Sequence, residues 1–180
     1  MERFLVFKVG TGSYSMNVEK VSAIETIDSI NTAASNGNIM GIIDLRGDVI
    51  PVVSVRKKFG FPETPVTAKT DILVTSARGV RVALKIDAVR EIVDGNNMSA
   101  GIPDVAKKAT TTYVKGVIHL GNELVIAIDP DELMAEEYEE IKTIVTEADA
   151  RKAEQKAKEE EAARRAREEE ARRKAAEEAN

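Results

Sequence analysis

Side chains able to do covalent or acid–base chemistry are few and scattered in this chain. It has one histidine, His119, and no cysteine. Lack of cysteine excludes disulfides, thiolate nucleophiles and thiolate-bound zinc or iron–sulfur centres, and it fits a reducing compartment. His119 stands in a strand-like run beside Leu120 with no partner placed for triad or metal work. Gly10-Thr11-Gly12 reads as a hairpin turn and lacks the rest of a dinucleotide or phosphate-loop pattern. Asp28, Asp44, Asp48, Asp71, Asp87 and Asp94 fall mostly at strand ends, where turns favour them. None of them makes an EF-hand or a two-carboxylate pair. The expectation is a protein with no catalytic residue, no metal and no cofactor. Arg46 is the side chain to follow. It sits at a hairpin tip in Gly41-Ile42-Ile43-Asp44-Leu45-Arg46-Gly47, either as a solvated turn arginine or held against a carboxylate to fix a binding surface.

The bulk composition narrows the partners. Of 180 residues, 26 are basic and 31 acidic, for a net charge of −5. With no basic cluster in its folded part, the chain is poorly suited to neutralising nucleic-acid phosphates. The apolar run Phe4-Leu5-Val6-Phe7 stops at Lys8, too short for a signal segment or a membrane span. A soluble protein is expected.

The elements that would position Arg46 are strands. Residues 4–9 are apolar on both faces, Tyr14 to Val18 alternates apolar with polar, and Val21 to Ile27 continues extended. After an Asn-rich loop at 31–38, Ile39–Leu45 and Val49–Val55 flank the turn Arg46-Gly47-Asp48. Arg56 to Phe59 suggests one helical turn stopped by Gly60, and Pro62 and Pro65 mark a connector. The pattern then restarts. Asp71–Ala77 and Val80–Ile86 form a hairpin, Val89–Val93 extends it, and 96–112 is a longer loop containing Gly101-Ile102-Pro103. Tyr113–Leu120 and Glu123–Ile128 close the series, and Asp129 or Asp131 caps a helix from Pro130.

The two halves align in two blocks, separated by a loop about seven residues longer in the second half. A displacement of 68 places Phe4-Leu5-Val6 on Ile72-Leu73-Val74, and Met16, Val18, Val21 and Ile24 on Leu84, Ile86, Val89 and Ile92. A displacement of 75 places Gly41-Ile42-Ile43 on Gly116-Val117-Ile118. Such self-similarity indicates duplication of one β unit. Either unit alone has a modest core, so packing the halves together is the route to stability.

From Glu136 onward the chain is nearly all Ala, Glu, Arg and Lys, with opposite charges four residues apart, as in Glu161 and Arg165. Ile141, Ile144 and Ala148 begin a coiled-coil seam that Arg151 and Gln155 break. The reading is a solvated single helix, with a coiled coil as the alternative.

Several segments carry a family likeness. Gly41 to Val53 is similar to the signature G-V-x-N-L-R-G-x-I-x-P-V-x-x-L of CheW domains. Phe4-Leu5-Val6-Phe7 with Tyr14 to Val21 resembles that family's opening strands, and Leu84 to Val89 its V-D-x-V element. Tyr113 to Gly116 with Leu124 to Leu133 resembles its closing hairpin and helix. The likeness spans about residues 3–134 and omits the tail. It implies an all-β, CheW-like domain at 1–134, built from two SH3-like five-stranded β-barrels at about 1–65 and 66–134, with a charged helical tail at 135–180. It also implies a cytoplasmic adaptor joining a CheA-type histidine kinase to the cytoplasmic helical hairpin of chemoreceptors. Near the membrane it would act only through those receptors. The resemblance places the receptor helix in an apolar groove between the barrels, lined by Val18, Val21, Ile24 and Val89. The alternative for these four is ordinary core. Gly41, Arg46 and Gly47 match positions tied to receptor and kinase coupling. Asp44 departs from the family's Asn, and Ala23 stands where some members carry a carboxylate for the arginine. Rival readings are a β-barrel small-molecule sensor or a paralogous two-component scaffold with a helical output arm.

Overall fold

The computed structural model describes residues 1–100 and 112–180. Strands β1 (Arg3–Val9), β2 (Gly12–Asn17), β3 (Val21–Ile27), β4 (Ile39–Leu45) and β5 (Asp48–Ser54) lead to the helical turn α1 (Val55–Lys58). After the connector come β6 (Thr70–Ala77), β7 (Val80–Lys85), β8 (Ala88–Asp94), β9 (Met98–Ala100), β10 (Val114–Leu120) and β11 (Glu123–Ile128). The short helix α2 (Pro130–Leu133) and the long helix α3 (Tyr138–Glu178) follow. Local signals explain the ends. Ser54 Oγ accepts the Lys57 N–H to cap α1, which stops at Gly60 with its φ of 80°. Asp129 accepts the Asp131 N–H and Pro130 opens α2. The 96–112 loop departs from expectation: a 3₁₀ turn at Gly95–Asn97 and β9 occupy its start. Gly101-Ile102-Pro103 lies outside the described residues.

The strands form two sheets, in the orders β8-β1-β2-β11-β10-β9 and β3-β6-β7-β5-β4. The duplication is visible pair by pair. Phe4↔Asn17 in β1–β2 recurs as Ile72↔Lys85 in β6–β7, and Ile43↔Ile50 in β4–β5 as Ile118↔Val125 in β10–β11. Even the irregularities repeat, with Ser22 bulged in β3 against β6 and Arg90 bulged in β8 against β1.

One expectation is corrected. The division at about residue 65 assigns one barrel to each half, yet each sheet draws strands from both. The 3₁₀ turn Val18–Lys20 sends the chain from β2 in one sheet to β3 in the other, and Ile86 and Asp87 send β7 to β8 the opposite way. Either half alone would leave both sheets incomplete and their edges unpaired.

Burial follows the exchange. Strands at both ends of the five-stranded sheet enclose one cluster, with Ile43, Ile50, Val52, Ile72 and Val74 at its centre. The other sheet encloses the duplicated equivalents Ile118, Val125, Ala127, Phe4 and Val6. A larger third cluster joins the two sheets through Leu5, Phe7, Met16, Leu73, Val82 and Leu84.

The expected boundary at residue 134 also moves. The compact unit runs from Met1 to Ile144, and a second unit comprises Val145–Asn180. The first turns of α3 belong to the body: Ile141 is fully buried in the third cluster, and Ile144 packs against it. Glu137 receives Lys58 Nζ at 2.8 Å and the Asn38 amide at 2.9 Å. Arg78 lies over the Tyr138 ring, 5.1 Å from its centroid. In the second unit almost every side chain is exposed, and ion pairs four residues apart join Glu154 to Lys158, Glu161 to Arg165, Arg164 to Glu168 and Glu170 to Lys174. No helix among the described residues is long and apolar enough to cross a membrane.

Candidate protein-binding groove

The bulge in β3 sets the geometry of the first site. Val21 faces Thr75 in β6, Ala23 faces Val74 and Ile24 faces Leu73, leaving Ser22 as the extra residue. Cross-strand partners share a face, so the bulge turns Val21 and Ile24 to the same side despite their odd spacing. That side looks toward the third cluster, against which Val18 and Val21 pack half-buried. At the rim a groove of about 270 Å³ opens, lined by Val18, Val21, Ser22, Ala23 and Ile24 from one sheet's side and by Leu5 and Ile92 from the other sheet. Ile24 is 49% exposed and Ile92 54%. Exposed isoleucines facing one apolar depression form the kind of surface that water leaves readily for an apolar partner.

Three of the four expected groove residues, Val18, Val21 and Ile24, therefore come together. The fourth, Val89, is half-buried beside Phe7 of β1 and packs against the third cluster, away from the groove lining. Ile92 takes that place. Its signal was in the duplication, which carries Ile24 onto Ile92.

Arg46 lies at the tip of the β4–β5 hairpin with φ 54°, followed by Gly47 at φ 89°. Positive φ at both central residues is the geometry of a type I′ turn, the two-residue connection that matches strand twist. Asp44 accepts the Gly47 N–H at 2.9 Å and closes the turn; an oxygen is all this bond needs, so Asp serves where the family pattern has Asn. The Arg46 guanidinium, largely exposed, reaches Glu25 Oε1 at 3.0 Å. Glu25 in β3 thus supplies the carboxylate that Ala23 lacks. Gly41 has a structural role. At φ 146° its α-carbon faces the Asn31 carbonyl so closely that an added β-carbon would sit 2.1 Å from that oxygen. This closeness lets Asn31 and Ile42 exchange two backbone bonds of 2.9 Å. A wider hollow of about 680 Å³ lies beside this region, lined by Thr26, Ile27, Asp28, Asn31, Asp44 and Leu45 among others.

His119 is exposed and faces Leu124 across the β10–β11 pair. Among the described residues no group of three His, Asp or Glu side chains is placed to hold a metal. Charged contacts also tie parts of the body together. Arg56 makes two bonds of 2.7 Å to Asp87, which also accepts the Gly10 N–H at 2.8 Å. Burial works to raise the Asp87 carboxyl, but these hydrogen bonds outweigh it and hold the group below the usual aspartate range.

With this geometry in place, comparison with known proteins decides the family. The model of the CheW-like domain matches residues 3–138. The chain belongs to the CheW-like domain family. The chemotaxis protein CheW of Bacillus subtilis is 26% identical over 138 residues, covering 76% of this chain and 88% of that protein. Chemotaxis protein CheW of Klebsiella aerogenes is 25% identical, covering 76% and 83%. Among solved structures, the scaffolding protein TtCheW from Thermoanaerobacter tengcongensis superposes with a TM-score of 0.64 at 25% identity, covering 74% of this chain and 92% of that one. The CheW-like match ends within the first turn of α3, so the charged second unit is an addition to the family's domain.

Proposed function

We propose that this chain is a non-catalytic chemotaxis adaptor that couples a CheA-type histidine kinase to methyl-accepting chemoreceptors in signalling arrays. In this reading each sheet is an SH3-like barrel, and the protein acts in the cytoplasm, reaching the membrane only through its receptors. The observation that carries the proposal is the apolar groove between the two sheets, with Ile24 and Ile92 exposed at its rim. An amphipathic receptor helix presents apolar residues at three- and four-residue spacing, and a trough of this character can bury that stripe. Val18, Val21, Ile24 and Ile92 make the contact, and Val89 supports β8 from within.

Arg46 serves at the edge of that surface. Its pairing with Glu25 is exposed and therefore cheap to exchange. A partner carboxylate can take over the guanidinium, so the hairpin tip contributes to coupling without being needed for the fold. Gly41 and Gly47 hold the hairpin that presents it. Membership in a family of chemotaxis scaffolds supports this role, because such a protein works through the geometry of its contacts.

Co-capture with a receptor cytoplasmic hairpin and the kinase tests the reading. Wild-type protein should hold both. Val21→Glu should lose the receptor, and Arg46→Ala should weaken the ternary assembly while the protein stays folded. Equal capture by all three proteins would remove the assignment.

A further inference from the structure

The second unit carries a charge order that its own intrahelical pairs do not require. Reading the tail backwards about the midpoint between Ala166 and Arg167 carries the acidic run Glu159–Glu161 onto the basic run Arg172–Lys174. The same reversal carries Arg164 and Arg165 onto Glu169 and Glu168, and Lys156 onto Glu177. The remaining charges between these limits, Lys158, Arg167 and Glu170, fall opposite Ala175, Ala166 and Ala163. Over residues 156–177 no two like charges face each other.

We propose that the tail is a self-recognition element, pairing antiparallel with the tail of a second copy of this chain. Two helices side by side in the same direction and register would set each acidic run against itself, which repels. Running in opposite directions, they set Glu159 against Lys174 and Lys156 against Glu177 at the contact, bring no like charges together, and oppose their helix dipoles. The facing surface exists: Lys156, Glu159, Ala163, Ala166, Glu170 and Lys174 follow one another at three- and four-residue spacing and so share one helix face. Ala163 and Ala166 stand at its centre, where small side chains permit close approach. The helix is continuous over these residues and its side chains are exposed, leaving both partners of each cross-chain pair accessible.

The energetics set the character of the contact. Exposed ion pairs contribute little singly and are weakened by salt. With no large apolar side chain on this face, pairing is weak in dilute solution and strengthens where copies are held close together. The inference does not depend on the groove reading, since it uses only the second unit.

Because the chain has no cysteine, a single introduced cysteine reports pairing in the full-length protein. Ala166→Cys lies beside the midpoint and should form a disulfide-linked dimer under mild oxidation at low salt. Ala179→Cys, far from the midpoint, should crosslink several-fold less. Raising salt from ~20 mM to ~500 mM should cut the Ala166→Cys crosslink several-fold, as the Debye length falls. Glu159→Lys/Glu160→Lys/Glu161→Lys and Arg172→Glu/Arg173→Glu/Lys174→Glu, each in the Ala166→Cys background, should fail to crosslink alone and recover on mixing. Equal crosslinking at Ala166 and Ala179 would mean parallel pairing, and no recovery on mixing would mean that the charges act only within each helix. Either result overturns the proposal.

Discussion

Ile24 and Ile92 occupy equivalent places in the two sheets, one duplication step apart, and each leaves about half of its side chain in water. They line one groove, so the symmetry of the gene-level repeat becomes a two-sided apolar surface. Each lies next to a bulged strand segment, Ser22 in β3 and Arg90 in β8, which sets its facing. An exposed isoleucine alone is ordinary. A matched pair on either side of one depression is a surface built to be covered.

The body should end at Ile144, not at Met134. Truncation after Met134 removes buried Ile141 and the Glu137 partner of Lys58. Losing one fully buried isoleucine costs about 1.5–3 kcal/mol. The broken ion pair adds less than a wholly buried one, because Lys58 regains water. Urea unfolding should show a loss of about 2–4 kcal/mol for that truncation and almost none for truncation after Ile144.

Ser15 should be improvable. Its hydroxyl is fully buried and has no hydrogen-bond partner among the described residues, while Ala83 occupies the equivalent place in the other half. Ser15→Ala removes an unpaired polar group from a site that accepts alanine, so thermal unfolding should show a gain of about 1 kcal/mol. A loss would mean that the hydroxyl makes a bond that alanine cannot replace.

Acid should loosen the body through Asp87. A carboxyl held below its ordinary range when folded binds a proton more readily once unfolded, so its contribution is full above the unfolded pKa. That contribution is lost as pH falls through the folded value. Stability measured from neutral pH down into the acid range should therefore fall less steeply in Asp87→Asn than in wild type. Parallel curves would assign the acid sensitivity elsewhere, with Glu63, also held low by Lys85 and Ser54 against the effect of burial, as the next carboxylate to replace.

Much of this fold was legible because its signals are local. Turn residues with flanking alternation marked the hairpins around Arg46-Gly47, Arg78-Gly79 and Gly121-Asn122, and the displaced halves matched because each strand pair repeats its register. Exchange of strands between sheets was not legible, since it depends on where the turn at Val18–Lys20 sends the chain and not on the composition of any strand. Ile141 and Ile144 were visible as apolar residues at the head of a charged helix, but spacing alone does not distinguish a coiled-coil seam from the edge of a globular core. Glu25 was missed as the Arg46 partner for a related reason: contact across the ends of a curled sheet is set by closure, not by sequence distance. Groove residues on β3 were found by likeness, and the bulge that makes their spacing work became clear only from the strand register.

The most direct test of the groove is the affinity of the purified protein for a chemoreceptor cytoplasmic hairpin, titrated calorimetrically with wild type, Ile24→Glu and Ile92→Glu. Both isoleucines are half exposed, so neither change should unfold the protein. Wild type should bind saturably, and each variant should lose about tenfold or more in affinity, roughly 1.4 kcal/mol. Undiminished binding by both folded variants would rule out the groove as the receptor site.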